Sequence, residues 1–235
     1  MDGKSLNVWW MKNDNNFGDL LTPYILNYFS INYQYVDFKR ADALCVGSIL
    51  DKSKPNQLIL GSGIIDESLP ICNTSNFKFV RGPLTRKHVL KAGGICPEIY
   101  GDAALLLPMF CDESKKEYDI GIVPHFVDYK LVKKKYPKYN VINVKNENPL
   151  TVAKEITKCR HIISSSLHGI IAAHAYGIPA AWVSFSNRLY GSGIKFLDYF
   201  ESVNTNPTKS TIDDPIFLKG NIPNLNRIID IFKSI

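Results

Sequence analysis

The sequence has few cysteines, and their number and positions argue against a disulfide-rich protein and against a zinc finger. The five cysteines are odd in number, form no C-x-x-C pair and have no histidine at a zinc-finger spacing. We therefore expect neither a disulfide framework nor a zinc finger. Reduced, mostly buried thiols are predicted at Cys45, Cys72, Cys96, Cys111 and Cys159.

Long apolar runs are also missing from the sequence. No stretch approaches the roughly twenty apolar residues that a transmembrane helix needs, so we predict no membrane span. The first residues hold one lysine and a short apolar patch at 8–11, without a small-residue cleavage site. This beginning is unlike a secretory signal, and we expect a cytoplasmic protein.

Charge of one sign is present only in small excess. The chain has 28 Lys and Arg against 22 Asp and Glu, and its 45% hydrophobic and 21% charged content is typical of a globular protein of one or two domains. The one dense basic run, at 130–138, predicts an amphipathic helix with a solvated face. Because basic and aromatic residues do not alternate elsewhere, we expect no nucleic-acid partner. Affinity for an anionic lipid or glycolipid stays an alternative.

Two common nucleotide-binding motifs are absent. The chain has no G-x-x-x-x-G-K-[ST], which excludes a P-loop enzyme. The turn at 61–63, Gly-Ser-Gly, lacks the G-x-G-x-x-G spacing and is not followed by an acidic residue about twenty positions later, which disfavours a nicotinamide cofactor. No cluster of metal-ligand residues stands out either. We expect neither a metal nor a cofactor.

What the chain does contain is an alternation of short apolar strands and amphipathic helices. This alternation is typical of an α/β fold with doubly wound parallel sheets, and the charged connector at 112–117 suggests a domain boundary near residue 110. In the first half we predict strands at 6–10, 34–38, 43–49, 57–60 and 77–80, a polar loop at 12–18, and helices at 19–30 and 83–92. In the second half we predict strands at 119–123, 140–144, 161–163 and 180–185, and helices at 127–135, 150–159, 167–176 and 224–232.

Small, polar and ionisable residues follow the predicted strands. In open parallel sheets, ligands bind beyond the carboxyl ends of the strands, where loops meet helix N-termini. We therefore predict a cleft between two lobes that binds a small anion and a hydroxylated partner. The residues at these positions are Asn16, Gly18, Asp19, Gly63, Arg81, Asp102, which ends a predicted short strand, His125, and the segment 164–169.

The segment 164–169, Ser-Ser-Ser-Leu-His-Gly, is the most informative of these positions. Ser165 or Ser166 can cap the following helix, and His168 would lie in its first turn, where free amides point toward the cleft. Gly169 permits close approach of backbone or ligand. This is the pattern of an anion site beside a titratable group; the alternative is a capped helix with an incidental histidine. Structural roles are predicted for His88, His161 and His174.

These motifs together resemble the polysaccharide pyruvyl transferase family, and they appear in family order over nearly the whole chain to about residue 200. The resemblance implies two Rossmann-like domains that face a central cleft, as in B-type glycosyltransferases. It implies an acceptor-side domain at 1–110, a donor-side domain at 111–205, and a tail at 206–235 that packs back on the body. The matching blocks are at 15–25, 61–64, 80–85, 101–104, 121–125, 164–169, 175–179 and 195–200.

The family resemblance also implies an activity. The donor would be phosphoenolpyruvate and the acceptor a sugar diol, giving a pyruvate ketal for exopolysaccharide or capsule synthesis. Whether that sugar is free, nucleotide-linked or lipid-linked stays open; a lipid-linked sugar would bring the protein to the inner face of the membrane. A nucleotide-sugar-dependent glycosyltransferase of the same architecture and a catalytically silent sugar-binding protein are the alternatives.

Roles for the cleft residues follow from this resemblance. His168 is the predicted general acid or base, and His125 is a second candidate. Asp19 is expected to orient or deprotonate sugar hydroxyls, with helix capping as its alternative. The acceptor would also contact Asn16, Gly18, Gly63 and Asp102.

The donor site departs from the family at one position. Many members have an arginine that binds the donor two residues before the histidine, where this chain has Ser166. Lys195 is our first candidate for the missing cation and Arg188 the second, and Arg81 and Arg86 are further candidates. The predicted donor contacts are Arg81, Ser165, Ser166, Leu167, Gly169, Arg188 and Lys195.

Overall fold

The computed structural model describes residues 5–12 and 15–235, so part of the predicted polar loop at 12–18 lies outside the described residues. The first half of the chain forms a parallel sheet with strand order β2-β1-β3-β4-β5. This order is one of the doubly wound arrangements. Its strands are β1 (Leu6–Val8), β2 (Tyr33–Tyr35), β3 (Ala43–Leu44), β4 (Leu58–Leu60) and β5 (Asn76–Phe79).

Two α-helices and a long 3₁₀ segment pack around this sheet. Helix α1 (Leu21–Tyr28) buries Leu21 and Ile25, which lie one turn apart on the same face. Helix α2 (Pro83–Lys91) begins with a proline, whose missing N–H costs no hydrogen bond in a first turn. The 3₁₀ segment Ala103–Met109 is largely buried against both α1 and the second half of the chain. Short 3₁₀ turns also occur at Phe38–Arg40 and Leu50–Lys52.

The second half forms a parallel sheet with strand order β7-β6-β8-β9. Helix α5 (Leu167–Ala175) is rich in apolar residues and almost wholly buried, because it lies between this sheet and the 3₁₀ segment. The other elements are β6 (Tyr118–Val123), α3 (Tyr129–Lys135), β7 (Asn140–Val141), α4 (Pro149–Thr157), β8 (Cys159–Ser164) and β9 (Ala180–Trp182).

After β9 the chain returns to the first half. Helix α6 (Ile194–Ser202) packs on α2, and helix α7 (Asn226–Lys233) stacks Phe232 on Phe29 with ring centroids 5.0 Å apart. The largest apolar core is therefore continuous across both sheets rather than divided at residue 110. The domain limits at 110 and 205 stay predictions. None of the helices within the described ranges has the length and apolar content to span a bilayer.

The α/β class and the two parallel sheets are confirmed, whereas several element limits were wrong. The predicted strand at 43–49 ends at Leu44, because the chain then turns toward the cleft while staying buried. Residues 45–49 have the apolar pattern of a strand because most of them are buried, but they are not paired in the sheet. The predicted strand that ends at Asp102 is reduced to one bridge between Val80 and Tyr100. Helix α6 was missed as an element.

Candidate active site

A cavity of about 260 Å³ lies where the carboxyl ends of the two sheets meet. In the first sheet its wall comes from the loops after the neighbouring strands β1 and β3, and in the second from those after β6 and β8. At each of these pairs the strand order reverses direction, which is where doubly wound sheets bind ligands. The predicted site residues that line the cavity are Asn16, Asp19, His125, Ser166, Leu167, His168 and Lys195.

His168 and Asp102 form a buried acid–base pair behind this cavity. His168 lies in the first turn of α5 and is 8% exposed, and its Nε2 lies 3.6 Å from Oδ2 of fully buried Asp102. Asp102 also caps the 3₁₀ segment, since its Oδ1 accepts a hydrogen bond from Ala104 N–H. Within residues 5–12 and 15–235, neither Nε2 nor Oδ2 has a hydrogen-bond partner. Buried polar atoms without partners are rare in proteins and call for a functional reason.

Gly18 allows the imidazole of His168 to lie against the loop after β1. A Cβ at this position would overlap the ring at Nδ1. Any larger residue would therefore push His168 away from Asp102 or out of the cleft. The glycine thus contributes to the site by its lack of a side chain rather than by a predicted contact with the acceptor.

Asp19 is the carboxylate that faces the cavity itself. Burial raises the pKa of Asp19, while nearby His168, a hydrogen bond from Asn16 and nearby Lys195 lower it in part. The Asn16 Nδ2 donor lies 2.7 Å from Asp19 Oδ2 and fixes the orientation of the carboxyl group. This arrangement suits a group that accepts a proton from a bound hydroxyl.

Lys195 supplies the positive charge of the cavity. It lies in the first turn of α6, and burial, followed by the nearby charge of Arg81, lowers its pKa to about 8, although Asp19 opposes this shift. No carboxylate of the described residues lies within ion-pair distance of its Nζ. An anion that enters the cavity would therefore meet an ammonium group without a permanent partner.

The N-terminus of α5 faces the same space. Ser166 occupies the N-cap, but its side chain bonds none of the helix amides. Ser164 and Ser165 have structural partners instead: Ser164 Oγ donates to Val123 C=O, and Ser165 Oγ accepts from His125 N–H. The first-turn amides of α5 are thus left for an anionic ligand. Gly169 faces away, because a Cβ there would press on Ser164 and the β6 strand.

The structure corrects the predicted placement of Arg81. This residue is fully buried behind the cavity, and its guanidinium donates to Asp198 Oδ2 at 2.9 Å, Ser48 Oγ at 2.7 Å and Ile64 C=O at 2.6 Å. Gly63 makes room for that guanidinium, since a Cβ would overlap it. Arg81 and Gly63 therefore shape the wall from behind and do not line it.

Two other predicted residues also lie elsewhere than expected. Arg188 is exposed, and its Nη2 lies 3.2 Å from Oδ1 of buried Asp128 rather than in the cavity. Asp102 lies behind His168 and is closed off from the cavity, so its predicted contact with the acceptor is not made directly. Sequence reasoning gave no role to Asp198, although it lies in the matching block at 195–200, because its hydrogen bonds from Arg81 and Thr85 are formed only in the fold.

His174 has the structural role predicted for it. Its Nδ1 lies 3.0 Å from Tyr199 Oη and its Nε2 lies 3.0 Å from Leu218 C=O. Burial lowers the pKa of His174 to about 4, so the ring is neutral at neutral pH. Across the described part of the chain, no group of three or more His, Cys, Asp or Glu is arranged to hold a metal ion.

Comparisons with known proteins identify related sequences. Residues 13–187 match the sequence profile described as "Polysaccharide pyruvyl transferase". "Uncharacterized protein L143" of Acanthamoeba polyphaga mimivirus is 36% identical over 165 residues, covering 66% of this chain and 57% of that protein. "Succinoglycan biosynthesis protein ExoV" of Rhizobium meliloti (strain 1021) is 26% identical over 212 residues, covering 83% of this chain and 64% of that protein. The chain thus spans less than two thirds of either relative, and no solved structure matches it.

Proposed function

This chain belongs to the polysaccharide pyruvyl transferase family, and we propose that it transfers the pyruvyl group of phosphoenolpyruvate to two hydroxyls of a sugar. The products would be a pyruvate ketal on a polysaccharide or glycan precursor and free phosphate. The observation that carries this proposal is the His168–Asp102 pair beside the cavity that Lys195 and the N-terminus of α5 also line. Nε2 of His168 and Oδ2 of Asp102 have no hydrogen-bond partner among the described residues. The two facing parallel sheets support an arrangement like that of B-type glycosyltransferases.

The donor suits the charges of the cavity. Phosphoenolpyruvate carries a phosphate and a carboxylate, and both groups need cations or helix amides when they leave water. Lys195 and the first turn of α5 provide one of each on adjacent sides of the same space. Lys195 thereby takes the place of the arginine that many family members have at the position of Ser166.

The reaction needs one proton delivered and two removed. Protonation of the donor methylene carbon leaves a positive, oxocarbenium-like C2, and the first sugar hydroxyl forms a C–O bond there and loses its proton. Phosphate then leaves by cleavage of its C2–O bond, and the second hydroxyl attacks C2 and loses its proton. One hydroxyl proton replaces the proton given to the methyl group, and the other leaves with phosphate.

His168 and Asp19 are our candidates for these transfers. His168 would deliver the proton to the methylene carbon. Asp19, whose pKa burial raises, would accept a proton from a sugar hydroxyl. Asp102, with its Oδ2 3.6 Å from His168 Nε2, would act through the imidazole as a group that orients the ring. His125, in the cavity wall, stays a second candidate for proton transfer.

Phosphate release from phosphoenolpyruvate is the direct test. A panel of nucleotide sugars and lipid-linked oligosaccharides should include an acceptor that gains the mass of one pyruvyl ketal as phosphate appears. Replacement of His168 by Asn should lower the rate 10²- to 10⁴-fold. The matched control is His161→Asn, on strand β8 away from the cavity. A glycosyltransferase or a silent sugar-binding protein would release no phosphate from this donor, and that result would refute the proposal.

The assignment of Lys195 can be tested separately by donor binding. Lys195→Ala should lose affinity for phosphoenolpyruvate in calorimetry, and adding Ser166→Arg to that variant should restore part of it, since both positions line the same cavity. Lys91→Ala, on the exposed end of α2, is the matched control. Unchanged donor affinity in Lys195→Ala would show that another group neutralises the phosphate.

A further inference from the structure

A second cavity of about 450 Å³ adjoins the first and shares Tyr190 and Lys195 with it. We call it the tryptophan pocket, because Trp182 at the end of β9 lies in its wall. Residues of the loop from Ser186 to Gly193 also line it, and so does Lys209. The two cavities are therefore neighbouring compartments of one cleft.

The charge of the tryptophan pocket is positive. Lys195 and Lys209 both line it, and none of its lining residues is an aspartate or glutamate. Among the described residues, neither lysine has a carboxylate within ion-pair distance. The buried carboxylate whose charge acts on Lys195 is Asp19, in the first cavity. Oδ1 of buried Asp128 accepts from Ser186 Oγ at 2.6 Å and pairs with Arg188 Nη2.

The remaining wall of the pocket suits a polyhydroxylated ligand. Lys209 lies beside β9 through a bridge to Trp182, with its Nζ 5.8 Å from the indole centroid. The indole also stacks on the ring of Phe196, with centroids 4.7 Å apart, which helps to fix its position. Ser184, Ser192 and Asn187 add hydroxyl and amide groups that can bond to an anion or a sugar.

The first cavity is smaller than the tryptophan pocket. Its volume of about 260 Å³ lies below the roughly 300–1,000 Å³ typical of sites for drug-sized ligands. A small donor and the reacting end of the acceptor can occupy it, and the tryptophan pocket, which shares Tyr190 and Lys195 with it, offers space for the rest of the acceptor. Of the two lysines there, Lys195 is assigned to the donor, which leaves the ammonium group of Lys209, and a neutral sugar would not use it.

We propose that the tryptophan pocket binds the phosphate of a glycosyl phosphate acceptor, with Lys209 as its main cation, while the sugar extends toward His168. This inference rests on the proposed function and deepens it, because it excludes a free neutral sugar as the natural acceptor. Nucleotide-linked and lipid-linked sugars share the glycosyl phosphate group, and both fit the chemistry of the pocket.

Binding measured by calorimetry tests this directly, without turnover. Glucose 1-phosphate and inorganic pyrophosphate serve as probes, with free glucose as the neutral comparison. Lys209→Gln should weaken binding of both anionic probes at least tenfold, Lys209→Arg should retain it, and the exposed Lys219→Gln should leave it unchanged. Saturating phosphoenolpyruvate should not displace the probes. Circular dichroism should show that each variant is folded.

The outcomes separate cleanly. Loss of affinity in Lys209→Gln alone supports the pocket; no binding of either probe, equal binding to Lys209→Gln, equal binding of free glucose, or displacement by phosphoenolpyruvate overturns it. Tighter binding of UDP would identify a nucleotide carrier, and tighter binding of farnesyl diphosphate a lipid carrier, and both support the proposal. If probes bind through Lys209 while phosphoenolpyruvate neither binds nor releases phosphate, the proposed donor fails and the anion pocket stands.

Discussion

Two buried pairs of a basic and an acidic side chain lie near the cavity, and they differ in how many of their polar atoms have hydrogen-bond partners. In the first, Arg81 and Asp198 lie at 2.9 Å, and both have further partners: Arg81 donates to two other groups, and Asp198 accepts from the N–H and the hydroxyl of Thr85. In the second, His168 and Asp102 lie at 3.6 Å, and each leaves one polar atom without a partner.

This difference separates a structural pair from a functional one. A buried ion pair is retained without strain when additional hydrogen bonds satisfy each member, as they do for Arg81 and Asp198. A pair whose facing atoms lie too far apart for a hydrogen bond and have no other partner is a candidate functional group rather than a stabilising one. Arg81, just before α2, is hydrogen-bonded to Asp198 of α6 and so joins the two halves of the chain, whereas His168 lines the cavity.

The largest effect is expected from breaking the satisfied pair. Arg81→Met should lower the free energy of unfolding by about 3–5 kcal/mol, because Asp198 would keep a buried charge without its counterion. Urea denaturation measures the loss. The double variant Arg81→Met/Asp198→Leu should recover much of it, and exposed Arg160→Met should change stability by less than about 1 kcal/mol. A stable Arg81→Met that loses only donor affinity would reverse the comparison and make Arg81 a ligand of the donor.

A second satisfied group, His174, should show itself in acid. Its pKa in the folded protein is about 4, against about 6.5 for an ordinary histidine, so below pH 6.5 the unfolded chain takes up a proton that the folded protein resists. Its contribution to stability is therefore present above pH 6.5 and is lost as the pH falls toward 4, by on the order of 3 kcal/mol. Urea denaturation at several pH values should show a shallower acid loss in His174→Gln than in the native protein or His161→Gln. Equal slopes in all three would contradict the assignment.

The unsatisfied pair should respond in the opposite way. Asp102→Asn keeps the oxygen that caps the 3₁₀ segment but removes the charge beside His168. We expect a fall of about 10- to 100-fold in kcat for phosphate release, comparable to the loss when a positioning partner of a functional histidine is removed. The free energy of unfolding should be unchanged or higher, since the substitution removes a buried carboxylate oxygen that has no hydrogen-bond partner. A variant that is both less stable and fully active would make Asp102 a structural residue.

The sequence predicted the class of the fold and most of the cavity, because both depend on local pattern. The sequence identified the residues that follow predicted strands, and parallel topology brings such strand ends together. These residues are Asn16, Asp19, His125 and the segment 164–169. The sequence could not distinguish Arg81 from a ligand of the donor, since the partner Asp198 lies more than a hundred positions away in the chain. Which polar atoms remain unpaired depends on three-dimensional packing, and no spacing rule reveals it.

The smallest expected effect concerns Lys195, the cation of the cavity, and it is measured through the pH dependence of kcat/KM. With a pKa of about 8, Lys195 is charged at pH 7 and loses its proton as the pH rises through 8, so kcat/KM for phosphoenolpyruvate should fall about tenfold per pH unit above that value. Lys195→Arg keeps its charge to much higher pH and should remove this alkaline limb, with only a small change at pH 7. Lys91→Arg should leave the profile as it is. If the fall in kcat/KM above pH 8 persists in Lys195→Arg, another group is responsible for it. Lys195 would then not be the cation that acts beside the His168–Asp102 pair.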